Sequence, residues 1–220
     1  MFNYIPELDA VAHSEGDEVI VKICYDAATI RRFGRRHALN SGKLEPYLLK
    51  DGSGRLMYEG DRPDDLDRFP WADLELLMED VDGEKILEQY LQAEAWGLSA
   101  NNSSAAPFLT APKTTSVSSR GCPYGCKYCY RGAQGERKWH VRSARHLVEE
   151  IKEHTAKYGI AFKSWPDDNF AVTFDRIKDL RDIVIAEGVN IPWGTHTRLD
   201  EAAGLKHNPA QSSQERNFFT

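Results

Sequence analysis

The feature that most constrains this chain is a change of hydrophobic period that repeats between Thr114 and Thr195. T-T-S-V-S-S, from Thr114, is a short β-branched run. Ser143 can cap a helix reaching Tyr158, with Leu147, Val148, Ile151, Thr155 and Tyr158 on one face. Ile160 to Trp165 is again strand-like. Thr173 can cap a second helix through Glu187, with Ile177, Leu180 and Val184 turned inward and Gly188 as its stop. Val189 to Thr195 is a third strand. Strand, helix, strand, helix, strand predicts an α/β fold of βαβ units on a parallel sheet. In barrels of such units the chemistry collects at the C-terminal ends of the strands. Three sets of polar residues fall there. A cysteine-bearing loop follows the first strand, Asp167 and Asp168 the second, and His196, Arg198 and Asp200 the third.

The loop reads R-G-C-P-Y-G-C-K-Y-C-Y-R, from Arg120 to Arg131. Cys122, Cys126 and Cys129 stand in the spacing C-x3-C-x2-C, close enough to point at one centre. Thiolates select zinc, copper(I) or iron–sulfur clusters. A zinc site of three thiolates and one imidazole would need His140 as its fourth ligand. A cubane cluster would use the three cysteines for three irons and leave the fourth iron open. Gly121 and Gly125 give the backbone freedom to curl around a bulky centre and to present N–H groups to its sulfurs, and Pro123 stiffens the turn. The fourth cysteine, Cys24, lies in V-I-V-K-I-C-Y, from Val19 to Tyr25. That run reads as a strand with Cys24 as a buried packing residue.

C-P-Y-G-C-K-Y-C, from Cys122 to Cys129, resembles the C-x3-C-x-aromatic-C signature of the radical S-adenosylmethionine (SAM) superfamily. The wider S-S-R-G-C-P-Y-G-C-K-Y-C-Y-R, from Ser118, resembles its cobalamin-binding-type subgroup. The resemblance implies a partial (β/α) half-barrel holding a 4Fe-4S cluster on Cys122, Cys126 and Cys129. The open iron would bind SAM, whose reductive cleavage yields a 5′-deoxyadenosyl radical that abstracts hydrogen from a small-molecule substrate. Tyr128 would lie near the adenine. W-P-D-D-N-F, from Trp165, resembles the subgroup's aromatic-x-D-D-x-F, so Asp167 or Asp168 would accept hydrogen bonds from the SAM ammonium. T-R-L-D, from Thr197, resembles T-R-x-D, so Arg198 would hold the SAM carboxylate or pair with Asp200. Members of this superfamily act as methyltransferases and cyclases, among other enzymes, and draw electrons from a flavodoxin or ferredoxin.

The N-terminal half is less regular. I-P-E-L-D-A-V-A-H-S-E-G-D-E-V-I, from Ile5, resembles the end of the cobalamin-binding domain that precedes the radical domain in that subgroup. The corrinoid-ligating D-x-H-x-x-G is absent, because Asp9 and His13 are four apart. The sequence therefore gives no basis for cobalamin binding. D-G-S-G between L-L-K and R-L-M-Y predicts a hairpin. Asp82 can cap a helix from about Gly83 to Trp96, with Ile86, Leu87, Tyr90, Leu91 and Ala95 as its apolar stripe. The expected organisation is a domain remnant over 1–25, a linker and helical region of irregular mixed α+β character over 26–112, the partial radical SAM core over 113–204, and a disordered tail over 205–220. Too few residues follow Cys129 for the further strand–helix units of the family, so the chain reads as truncated at both ends and inactive alone, or as a non-catalytic subunit. A partner would then supply the missing half-barrel.

A net charge of −6 argues against a general nucleic-acid binder. No apolar run reaches transmembrane length and no signal peptide is apparent. Four cysteines grouped as three plus one fit reduced, metal-binding thiols in the cytoplasm better than a secreted disulfide framework. The basic run Arg131, Arg137, Lys138, His140, Arg142, Arg145 and His146 reads either as a solvated face or as a positive rim for an anionic centre. The rival to the cluster reading is a zinc-stabilised binding module using the three cysteines and His140.

Overall fold

Strands and helices alternate along the chain, though not everywhere the hydrophobic pattern places them. The computed structural model describes residues 10–13, 15–34, 47–48, 56–59, 63–77, 85–92, 112–129 and 138–202. They divide between two compact units, Met1–Asp64 and Asp65–Thr220.

The first unit contains β1 (Ala10–His13), α1 (Gly16–Phe33), β2 (Tyr47–Leu48) and β3 (Leu56–Glu59). β3 is central: it pairs parallel with β1 and antiparallel with β2, Tyr47 facing Met57 and Leu48 facing Leu56. The β2–β3 pair is the expected hairpin. Ala10–His13 is a strand, and one expectation is corrected here. Val19–Tyr25, read as a strand, is the middle of α1, and Cys24 is exposed on it rather than buried. The helical period wins because Val19, Ile23, Asp26 and Ile30 recur on one face. Val19 packs with Tyr58, Ala10, Ile23 and Ile30. Asp26 is buried on the same face and accepts a 2.9 Å hydrogen bond from the Tyr58 hydroxyl. Acidic Asp17 and Glu18 in the first turn and basic Arg31 and Arg32 in the last suit the helix dipole. α1 also runs through the boundary expected at residue 25.

In the second unit a 3-10 turn (Leu74–Leu77) precedes α2 (Ile86–Gln92), the middle of the helix expected over Gly83–Trp96. Asp82, Ala95 and Trp96 lie outside the described residues, as does the 205–220 tail. Then come β4 (Lys113–Thr115), β5 (Ser119–Gly121), β6 (Trp139–Val141), α3 (Ala144–Tyr158), β7 (Phe162–Trp165), α4 (Phe174–Ala186), β8 (Trp193–Thr195) and α5 (Leu199–Ala202). β4, β7 and β8 form a parallel sheet in that order, with β7 in the middle. T-T-S-V-S-S is therefore not one strand. Its first part stays in the sheet through Thr115, and Ser119–Gly121 turns away to pair antiparallel with β6.

α3 forms where expected: the Ser143 hydroxyl accepts from the His146 amide at 3.1 Å, and Gly159 closes the helix in the left-handed region. Thr173 is the N-cap of α4, without a side-chain capping bond, and Gly188 just beyond it has φ 65°. The core lies between these helices and the sheet. Leu147, Val148 and Ile151 of α3 and Ile177 and Leu180 of α4 enclose Trp165 and Phe170. Trp165, Phe170 and Trp193 form a ring cluster with centroids 5.4–5.6 Å apart. β7 is buried along its whole length, as a central parallel strand covered on both faces should be. The fold class is α/β: a partial β/α unit with parallel strands, in a chain whose first unit is irregular and mixed. Among the described residues no helix is long and apolar enough to cross a membrane.

Candidate metal centre

The cysteine loop leaves the protein at the end of the β5–β6 ribbon, and buried bonds hold its root. Gly121, the last residue of β5, has φ 84°. A Cβ there would stand 2.2 Å from the Lys138 carbonyl oxygen, so the approach of the two ribbon strands leaves room for glycine alone. Ser118 and Ser119 precede it, and both bind Asp167, at the C-terminal end of β7. The Ser118 amide donates to Asp167 Oδ1 at 2.8 Å. Both serine hydroxyls donate to Oδ2, that of Ser119 at 2.8 Å. Arg176 of α4 closes the network. Its guanidinium donates to the Ser118 hydroxyl at 2.8 Å, to the Ser118 carbonyl at 3.0 Å and to the Phe170 carbonyl at 2.8 Å. Burial pushes the Asp167 carboxyl above its usual range, against the pull of the serine donors and Arg176. Burial likewise lowers Arg176 to about 10, partly offset by Asp167.

Asn169 makes the second tether. Its carbonyl accepts from the Trp139 indole of β6 at 3.1 Å, and its side-chain amide donates to Glu201 at 3.3 Å. Thr197 donates to both Asn169 and Glu201, at 3.3 and 3.2 Å. The Phe170 amide donates to the His196 carbonyl at 3.0 Å, so the segments after β7 and β8 are joined. The C-terminal ends of the parallel strands thus converge on the base of the cysteine loop, as the order of elements implied.

On the loop, Cys122, Cys126 and Cys129 are half-buried and free of disulfides. The Cys129 amide donates to the Cys126 carbonyl at 3.0 Å, which makes the last two cysteines part of one tight turn. Arg198 reaches across from beyond β8. Its Nη1 lies 3.2 Å from Cys126 Sγ, and its Cζ lies over the Tyr124 ring, 4.4 Å from the centroid. Its other two nitrogens donate to Asp200, each at 2.9 Å. The Asp200 partnership holds Arg198 well above the usual guanidinium range.

The donor set fits a soft metal centre: three free, half-buried thiols on one short loop with a rigid base. Among the described residues no three metal-ligating side chains are gathered as a group. His140, the candidate fourth zinc ligand, lies on β6 opposite Arg120.

The other predicted residues separate. Asp167 is buried and occupied by the serines, whereas Asp168 is exposed. Tyr128 is 94% exposed. Three described members of the basic run are engaged within the fold. Arg142 is buried 4.0 Å from Glu150, Arg145 pairs with Glu187, and His146 sits 3.1 Å from Asp67 and stacks on Trp71. Arg131 and Arg137 lie outside the described residues. Ser118, Ser119, Asn169, Arg176 and Glu201 were not anticipated as site residues. The serines at least carried a signal, since they open the quoted motif; nothing in the sequence marks Arg176, whose partners come from Ser118, just before β5, and from the β7–α4 segment.

Over 84 residues, 38% of its length, the chain is 30% identical to an uncharacterized methyltransferase of Pyrococcus horikoshii. Over 84 residues it is 26% identical to the anaerobic magnesium-protoporphyrin IX monomethyl ester cyclase of Cereibacter sphaeroides. These matches span 18% and 14% of the two relatives. No protein-family model and no solved structure matches the chain. Both relatives are named as enzymes, and the similarity supports the resemblance to radical SAM proteins at the level of the superfamily only.

Proposed function

We propose that this chain is a radical SAM-type iron–sulfur protein of the cobalamin-type subgroup, with Cys122, Cys126 and Cys129 as the ligands of a 4Fe-4S cluster. The observation that carries the reading is the placement of three free thiols, in the C-x3-C-x-aromatic-C order, on a loop rooted at the C-terminal ends of a parallel sheet. When bound, such a cluster supplies one electron for the reductive cleavage of SAM. The chain's own residues divide the remaining work. Asp167, with Ser118, Ser119 and Arg176, fixes the base of the loop. Asp168, exposed beside it, would meet the SAM ammonium, and exposed Tyr128 would meet its adenine. Substrate, turnover, a flavodoxin or ferredoxin as electron donor, and a partner completing the barrel belong to this proposal as well, because the chain spans a small part of its relatives.

The test is anaerobic reconstitution of the full chain with iron and sulfide. The expected product is brown, with a broad visible absorption that Cys122→Ala, Cys126→Ala and Cys129→Ala each abolish and Cys24→Ala leaves intact. A colourless protein carrying one zinc per chain contradicts the proposal and returns the rival binding module.

A further inference from the structure

Arg198 is the residue that the motif comparison offers to the SAM carboxylate, yet its fork is already filled. Nε and Nη2 lie 2.9 Å from the two oxygens of Asp200, the bidentate arrangement that a guanidinium makes with one carboxylate. The remaining corner, Nη1, is aimed at Cys126 Sγ at 3.2 Å, and the flat face covers Tyr124 in the same loop. Arg198 is therefore tied on one edge to Asp200 of α5, which sets its angle, and on the other to the second cysteine.

We propose that Arg198 is a positioning residue for the cysteine loop: it holds the Cys126 sulfur and, in the cluster-bound state, raises the reduction potential of the cluster. This rests on the function proposed above. The physical basis is general. A hydrogen bond to a ligating sulfur, together with a positive charge nearby, stabilises the more negative, reduced state of an iron–sulfur centre. The effect does not require Arg198 to touch SAM. Asp200 fixes the fork and so keeps Nη1 on the sulfur, and Tyr124 supplies a second hold on the loop two residues before Cys126.

Two measurements on the full chain test this, using Arg198→Gln, Arg198→Lys and Asp200→Asn. Both residues are partly exposed, so the variants should fold, and circular dichroism checks that. In the metal-free protein, hydrogen–deuterium exchange of a peptide covering 122–129 should speed up in Arg198→Gln and Asp200→Asn, while exchange in α3 stays at the wild-type rate. In the reconstituted protein, a redox titration followed by electron paramagnetic resonance should place the midpoint of Arg198→Gln below that of wild type. Arg198→Lys, which keeps the charge and loses the fork, should fall between them. Unchanged exchange in the loop, or a midpoint that does not move, overturns the proposal. If wild type takes up no cluster, the functional reading fails, and the exchange experiment alone decides whether Arg198 positions the loop.

Discussion

Gly121 sits where the chain passes from the β5–β6 ribbon into the cysteine loop, and two facts forbid any other residue there. Its φ of 84° disfavours L side chains, and an added Cβ would meet the Lys138 carbonyl at 2.2 Å. Holding a non-glycine residue in such a conformation costs about 1–3 kcal/mol before the clash is counted. Gly121→Ala should therefore lower stability by at least that much in urea titrations and should also lower iron uptake; Gly159→Ala, with open space at its Cβ, should leave iron uptake alone. Asp167 is the second residue on which the site turns. Replacing it by Ala leaves the Ser118 and Ser119 hydroxyls without their carboxylate acceptor and the Arg176 guanidinium without its counter-charge in the interior. Removing one partner from a buried network of this kind costs about 3–5 kcal/mol. Asp167→Ala should show a loss of that order in urea unfolding. A loss under about 1 kcal/mol would mean that the network does not anchor the loop.

At the level of elements, α3 and the sheet enclose a charged cluster that no feature of the hydrophobic pattern announces. Lys163, in the middle of β7, is fully buried and lies 3.1 Å from Glu150 of α3. Its ammonium also reaches Thr114 at 3.3 Å and His154 at 3.5 Å, while Ser116 donates to Glu150 at 3.0 Å and Arg142 lies 4.0 Å from it. Burial lowers the Lys163 ammonium below its usual range, against the pull of Glu150. Burial, reinforced by Lys163, lowers His154 from 6.5 to about 4. The unfolded imidazole thus takes up a proton near its ordinary value, and the folded one does not until far lower pH. Stability from this residue is full above about 6.5 and is lost as the pH falls towards 4, by about 3 kcal/mol in all. Urea unfolding between pH 7 and pH 4 should show that decline, and His154→Gln should flatten it. An equal pH dependence in wild type and variant would remove His154 as the cause. The same elements show what was legible in the sequence. α3, β7, α4 and β8 follow from periodicity because their apolar faces are packed in one core. α1 was misread because Val19-Ile20-Val21 imitates a strand over a window too short to show the recurrence of Ile23 and Ile30. β5 was merged with β4 because the break at Ser116–Ser118 is made by Asp167 and Arg176, contacts far away in sequence.

For the whole molecule, the cysteine spacing was legible because it lies within one short stretch, Cys122 to Cys129, whereas the anchoring of the loop was not, because the anchors come from the segment after β7, from α4 and from the segment after β8. The parallel sheet of the described residues has β4 and β8 as its edges. Unpaired edges of this kind invite association with another chain or a further strand. Size-exclusion chromatography with light scattering should accordingly show self-association, or a shift to a defined complex when a partner adds a strand to either edge; a monodisperse, soluble monomer would argue against a need for either. Whether the cysteine loop builds a cluster with an iron open to SAM is decided by electron paramagnetic resonance of the reconstituted, dithionite-reduced chain, recorded with and without SAM. The expected result is the signal of a reduced 4Fe-4S cluster that changes shape when SAM is added. A cluster signal indifferent to SAM, or no cluster signal at all, would contradict it.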